Sequence, residues 1–376
     1  MRVLVTDGAN RVALAVVRAL GSAGAEVWVA EQEPHARTTP AAFVSRHVSR
    51  REILPAVGEE GRFIGALAEF AAGADVILPV STNVVLACAR NRERLPARLP
   101  IPPLAAIRRA NDKSTVLAAA RKAGVPIPVS YAPESDEELD EVVERLRLPA
   151  VVKLRDDEGT TLEPGDRYRR ARTRDEVRRA WVELHRIRPF PVIQERIDGD
   201  GYGVGVLAQE GRVLASFAHR RVREYPIAGG PSACCESVRD PRLLGYAENV
   251  VRELGWTGVA MVEFKKDDDY RLLEVNPRFW GALPLATACG VNFPDRLCRM
   301  ALGEGVAAPP DVPAGVKLRF LAMDLAAAWS ALGDGERRGR YLSGFVRDLF
   351  DLGVRDGLLD ASDLKASLVY LSNRLV

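Results

Sequence analysis

The sequence predicts α/β and α+β units in series: a small β-α-β domain, a middle α+β unit, a larger mixed sheet and a mostly helical tail. Three observations carry this. β-Branched runs alternate with segments of helical period at the start of the chain. The Pro-rich stretches "LPARLPIPPL" (95–104) and "AAPPDVP" (307–313) read as boundaries. Between about 190 and 280, apolar runs follow one another across short Asp, Glu and Gly turns, the pattern of antiparallel strands.

In order, "RVLVT" is a strand that ends in Asp7-Gly8, and "NRVALAVVRALGSAGA" a helix closed by Gly24. "EVWVAE" and "DVILPV" are further strands, with the helix "RFIGALAEFAAGA" between them. Such alternation predicts a parallel sheet wrapped by helices over residues 1–104. A helix pair follows, ending at Gly124. "PAVVKL" (149–154) is a strand leading into a polar loop, and "TRDEVRRAWVELHRI" a helix capped by Thr173, which places the middle unit at 105–192. "FPVIQERI", "YGVGVLAQ" and "RVLASFAHRR" read as antiparallel strands. A helix over 240–255 and the hairpin "GVAMVEFKKDDDYRLLEVNPRF" complete a unit at 193–308. Residues 309–376 read as a tail with little chemistry in it.

Composition narrows the function classes. The 376 residues are 47% hydrophobic and 28% charged, as in ordinary globular proteins, and the net charge of +2 gives no reason to expect a nucleic-acid partner. No apolar run reaches the ~18 residues that would span a bilayer. The five Cys and four His are scattered, which argues against a zinc site and for a reducing cytoplasm. The N-terminus reads directly as strand and turn, without the regions of a signal peptide. Only seven of the 53 basic residues are Lys, so a Lys at a motif position stands out.

The richest stretch is "YRLLEVNPRFWG". Side chains two apart on a strand share a face, so Glu274, Asn276 and Arg278 form one row, and Met261, Glu263 and Lys265 form another on the preceding strand. A two-residue loop at Asp268-Asp269, or a four-residue loop over 267–270, places Glu263 opposite Glu274. A three-residue loop would put them on opposite faces. Directly opposed like charges are destabilising unless a cation lies between them. Two carboxylates and an amide oxygen suit Mg²⁺ shared with phosphate oxygens, and Arg278 suits a phosphate or a developing anion. Lys153, ending a strand before a loop with two glycines, and Lys113, at a helix start in "NDKS", could each reach a phosphate. The strand "VIQERI" stops at a glycine-rich turn, where backbone groups could hold an aromatic base.

In this order and spacing, the pieces over residues 1–305 resemble the ATP-grasp superfamily of carboxylate–amine ligases, particularly its carbamoyl-phosphate-synthase-like branch. The resemblance implies an ATP-grasp fold behind an N-terminal Rossmann-like domain. It further implies two Mg²⁺ ions, with Mn²⁺ able to substitute, on Glu263, Glu274 and Asn276, and Arg278 as the stabilising arginine. ATP would lie on Lys113, Lys153 and the hinge Gln194, Glu195, Arg196 and Ile197, largely through backbone. The implied reaction activates a carboxylate as an acyl phosphate, which an amine attacks to give an amide, ADP and phosphate. The implied partners are small-molecule acid and amine substrates, and the family suggests a homodimer. Arg221 and Arg223, two apart in "FAHRRVREYP", are expected to share a face and hold the substrate carboxylate.

Two departures stand beside the resemblance. The loop after Lys153, "RDDEGTTLEPGD", is unusually acidic: Asp156, Asp157 and Glu158 would repel phosphates unless turned away or paired. Gly203 sits where an acid commonly grips the ribose, with Asp200 as a weak substitute. Bicarbonate activation through carboxyphosphate is the alternative within the superfamily. An NAD(P)-dependent oxidoreductase is the alternative outside it, suggested by Gly8 and by Glu31 at the end of the second strand, though no G-x-G-x-x-G is present.

Overall fold

A computed structural model describes residues 1–160, 164–227, 229–335 and 338–373. The N-terminal unit contains β1 (Arg2–Val5), α1 (Arg11–Ser22), β2 (Glu26–Gln32), β3 (Val48–Leu54), α2 (Glu60–Phe70), β4 (Val76–Leu78) and α3 (Thr82–Arg90). Its four strands are parallel in the order β3-β2-β1-β4. β3, "VSRREIL", escaped the sequence reading because it is a polar edge strand whose exposed side chains show no apolar pattern. Helix α1 starts where the Asn10 side chain accepts the amide of Val12, and its apolar face is buried. The Pro-rich stretch at 95–104 is packed: Arg98 bridges to Val76, and Leu95 and Leu99 are buried. Helices α4 (Leu104–Asn111) and α5 (Lys113–Lys122) follow.

The small unit has β5 (Ser130–Tyr131), α6 (Asp136–Arg145), β6 (Ala150–Lys153), β7 (Tyr168–Ala171), α7 (Arg174–His185) and β8 (Val192–Glu195). Its antiparallel sheet runs β5-β8-β6-β7, so "VIQE" pairs here and the small sheet reaches Glu195, beyond residue 192. Ile193 and Val152 pack against α6 and α7. Alternation turns Lys153 and Gln194 to the other face.

The large unit has β9 (Asp200–Gln209), β10 (Arg212–Glu224), β11 (Ser232–Val238), α8 (Pro241–Glu253), β12 (Gly258–Lys266), β13 (Tyr270–Asn276), α9 (Leu283–Ala288) and α10 (Phe293–Leu302). It is continued by β14 (Lys317–Arg319), α11 (Leu321–Ala331), α12 (Arg338–Phe350), β15 (Arg355–Asp356) and α13 (Leu364–Ser372). The seven strands are ordered β13-β12-β9-β10-β11-β14-β15. Residues from 309 onward are therefore not an appendage: β14 and β15 extend this sheet, and Asp324 and Asp348 are fully buried.

Even-numbered residues of β9 and β12, such as Val204, Val206, Ala260, Val262 and Phe264, pack on α5 and α8. On the opposite face Met261, Leu207, Phe217 and Trp280 share a core with α1, α9 and α10. The N-terminal unit is thus fastened to the face that carries Glu263. Three glycines of β9 make that face passable. A Cβ on Gly205 would lie 2.0 Å from the Trp280 ring, on Gly203 2.4 Å from the His219 ring, and on Gly201 3.0 Å from Arg221 Cδ. An acidic residue at 203 has no room, because His219 fills the space.

Candidate active site

The β12–β13 loop has three residues, since Lys266 pairs with Tyr270. A regular ladder would then separate the two acids. Instead the register shifts between Glu263 and Phe264: Phe264 pairs with Leu272 and Glu263 with Glu274, leaving Leu273 bulged. The bulge restores the opposition that a two- or four-residue loop would have given. Burial follows it, with Tyr270, Leu272 and Val275 buried and the phase changing at 273–274.

Four cations converge on the pair. Arg221 Nη2 lies 2.6 Å from Glu263 Oε2, and Lys113 Nζ lies 3.4 Å from Glu274 Oε2. Lys153 faces the same carboxylates, and Arg278 acts on Glu263 from the next turn of chain. Burial raises the pKa of Glu263, against the pull of Arg221. Burial also opposes ionisation of Glu274, but Lys113 and Lys153 outweigh it and bring its pKa down to about 2. For Lys153, burial lowers the pKa to about 8. Asn276 Nδ2 lies 3.0 Å from Glu263 Oε1 and 3.3 Å from Glu274 Oε1, while its oxygen accepts from Arg278 at 3.3 Å. Two carboxylates draw the donor end of that amide, so it must rotate before its oxygen can serve a cation.

Each remaining site residue has a definite place. Lys113 opens α5 behind the Asp112 cap, and its amide donates to Arg155 O at 2.9 Å, at the base of the acidic loop. At the hinge, the Glu195 amide donates to Val129 O and the Arg196 amide to Pro149 O, and Glu195 Oε1 accepts the amide of Val129. Arg196 pairs with Asp198, and Ile197 is buried. Gln194 is 1% exposed; its nitrogen donates to Ser130 Oγ at 3.0 Å, and its buried oxygen has no partner. Arg278 Nε donates to Thr82 Oγ1 at 3.3 Å, which brings the start of α3 to the site. Nothing in the local sequence around Thr82 signalled that contact.

Arg221 and Arg223 do not share a face. Arg221 pairs with Cys235 but Arg223 with Cys234, so two steps on β10 match one on β11. This bulge sends Arg223 into a sealed network: it is 1% exposed, donates to both Asp324 oxygens at 2.6 and 2.7 Å, and reaches Asp348 Oδ2 at 2.8 Å. Arg223 is thus a structural residue, and only Arg221 reaches the site. A single acid in the apolar helical run "LAMDLAAAW" was the available signal for a buried partner.

Arginines, most of them from other parts of the chain, neutralise the acidic loop. Asp156 pairs with Arg188, Asp157 with Arg167, and Glu158 with both Arg108 and Arg90, the last on α3. Its remainder at 161–163 lies outside the described residues. Asp200 is held by Arg220 and Arg340, both at 3.0 Å. In the N-terminal unit, Glu31 accepts the Ala9 amide at 2.6 Å and the Gln32 amide at 2.7 Å. The carboxylate expected to grip a dinucleotide ribose instead satisfies the β1–α1 turn. Gly8 is required for packing, as a Cβ there would meet Val29 at 2.7 Å.

A family model described as "ATP-grasp in the biosynthetic pathway with Ter operon" matches residues 188–323, the stretch that carries the hinge, Arg221 and the opposed acids. The chain has the ATP-grasp fold. Solved structures agree on this fold. The biotin carboxylase domain of Hydrogenobacter thermophilus 2-oxoglutarate carboxylase, in complex with MgADP, ADP and bicarbonate, aligns at 18% identity over 84% of this chain and 73% of that one, TM-score 0.67. The L-amino acid ligase of Bacillus licheniformis aligns at 18% over 80% and 74%, TM-score 0.60. N5-carboxyaminoimidazole ribonucleotide synthetase of Thermus thermophilus aligns at 20% over 82% and 81%, TM-score 0.60. No curated protein matches by sequence. Among the described residues, no helix is long and apolar enough to cross a membrane.

Proposed function

We propose that this chain is an ATP- and Mg²⁺-dependent ligase that activates a small-molecule carboxylate as an acyl phosphate and joins it to an amine. The observation that carries this reading is the opposed pair Glu263–Glu274 inside a ring of Lys113, Lys153, Arg221 and Arg278. The residues fit the group. Among the described residues, no cluster of three or more His, Cys, Asp or Glu could hold a metal alone. Two carboxylates and one amide leave positions open for phosphate oxygens, which suits Mg²⁺ carried in with a nucleotide. The unpartnered Gln194 oxygen on the cleft face of β8 suits the amino group of an adenine.

When bound, Mg·ATP supplies the phosphoryl group to be transferred. The chain's own residues do the rest by positioning and charge neutralisation. Lys113 and Lys153 hold the phosphate tail, Glu263, Glu274 and Asn276 hold the metal, and Arg278 steadies the negative charge that develops on the acyl group. Arg221 faces the carboxylate substrate. Bicarbonate is the second reading, supported by the bicarbonate-bound biotin carboxylase with which the fold aligns.

The test is calorimetric titration with ATP and Mg²⁺, followed by ADP release with panels of acids and amines, with bicarbonate alone as a separate arm. Mg²⁺-dependent ATP binding and ADP release, both lost in a folded Glu274→Ala protein, are expected. Unchanged turnover in that variant would overturn the assignment. Binding of nicotinamide dinucleotide without ATP binding would return the function to the N-terminal unit.

A further inference from the structure

Arg221 stands between two carboxylates. Its Nη2 is 2.6 Å from Glu263 Oε2, while its Nη1 is 3.3 Å from both Glu224 Oε1 and Gly230 O. Burial works against its charge, but Glu263 and Glu224 outweigh burial and raise its pKa. The guanidinium therefore stays charged, and it covers a carboxylate oxygen that a metal would use. A cation cannot take that oxygen while Arg221 holds it, and Arg221 cannot greet a substrate carboxylate while it is spent on Glu263. Both conflicts are removed by one movement. The second anchor is already in place, because Glu224 and the Gly230 carbonyl grip the other nitrogen.

Resting on the ligase reading above, we propose that Arg221 is an exchangeable counter-ion. A divalent cation arriving at Glu263 displaces it, and the freed guanidinium, still backed by Glu224, becomes the contact for the carboxylate substrate. The acid is then bound only after the metal nucleotide, so no phosphoryl acceptor occupies the site before the phosphoryl donor is present. Gly201 lets this happen, since Arg221 Cδ lies over the space its side chain would fill. The neighbouring Lys265 offers no such exchange: it donates to Gly199 O at 3.2 Å.

Mn²⁺ binding, read by the loss of the free-ion electron paramagnetic resonance signal, separates direct competition from general charge. Arg221→Met is expected to bind Mn²⁺ about tenfold more tightly than the unchanged chain, the scale of releasing one charge-assisted contact. Lys265→Met removes an equal charge nearby and sets the through-space baseline, expected at about threefold or less. Equal effects of the two substitutions would overturn the proposal, as would weaker binding in Arg221→Met. Should Arg221→Met fail to fold, Glu224→Gln gives the opposite sign. With the charge of its second anchor gone and only neutral acceptors left there, Arg221 stays on Glu263 and Mn²⁺ binding weakens; unchanged affinity there overturns the exchange. Mn·ATP binding that is indifferent to Glu274→Gln would remove the metal site itself, a failure of the ligase reading rather than of Arg221 alone.

Discussion

Glu263 and Glu274 face each other across a hairpin whose three-residue loop would by itself hold them apart; the bulge at Leu273 brings them together. Opposed carboxylates cost stability on their own. Here four cations, Lys113, Lys153, Arg221 and Arg278, offset that cost.

Nucleotide binding should carry a proton with it. Lys153 has its pKa lowered to about 8 by burial, so above that pH it is largely neutral in the free chain. A phosphate favours the ammonium, and binding between pH 8 and 10 therefore takes up a proton. Calorimetry in buffers of different ionisation enthalpy reads this uptake directly. Lys153→Arg, charged throughout, should abolish it; persistent uptake in that variant would assign the proton elsewhere.

Arg223 and Arg221 should fail in different ways. Arg223→Met leaves Asp324 buried without its cation, and Asp348 keeps only its remaining basic neighbours, with Lys317 at 2.7 Å. A loss of about 3–5 kcal/mol in denaturant unfolding is expected, the usual result of breaking a buried pair from one side. A loss under about 1 kcal/mol, the worth of an exposed pair, would show that the network contributes little.

His219 should make the fold acid-sensitive. Burial, with Arg221 adding, lowers its pKa to about 3, from an ordinary value of 6.5. The unfolded chain takes up a proton below 6.5 and the folded one does not, so the stability present above pH 6.5 declines as pH falls toward 3. From pH 6.5 to 5 the loss is on the order of 2 kcal/mol. His219→Leu should flatten unfolding curves over that range. An equal pH dependence in variant and parent would contradict the burial argument. Glu274, with its pKa down to about 2, adds its own loss only below pH 4.5.

The acidic loop should be latched rather than merely ordered. Glu158 bonds to Arg108 and Arg90, and the Gly159 amide donates to Asn83 on α3. Glu158→Gln is expected to speed amide hydrogen exchange at 157–160 while changing global stability by less than ~1 kcal/mol, because these pairs are partly exposed. Unchanged exchange there would mean that the loop is held by other contacts.

The sequence by itself determined the parts that rest on local repetition. The strand and helix periods placed β1, α1, β6, α7 and the hairpin. The two-residue spacing put Glu274, Asn276 and Arg278 on one run of chain, and scarcity made Lys113 and Lys153 conspicuous. Tertiary structure decided what depends on a partner far along the chain. Whether Glu263 meets Glu274 turned on a bulge, and a bulge is set by how two strands and their buried faces match, not by either strand alone. The same holds for Arg221 and Arg223: one extra residue on β10 against β11 sent one arginine to Glu263. The other went to acids 101 and 125 positions away, in a tail whose chemistry its own periodicity does not show. An arginine's spacing fixes its face only while the ladder is regular, and its charge then goes to whichever carboxylate the fold buries beside it.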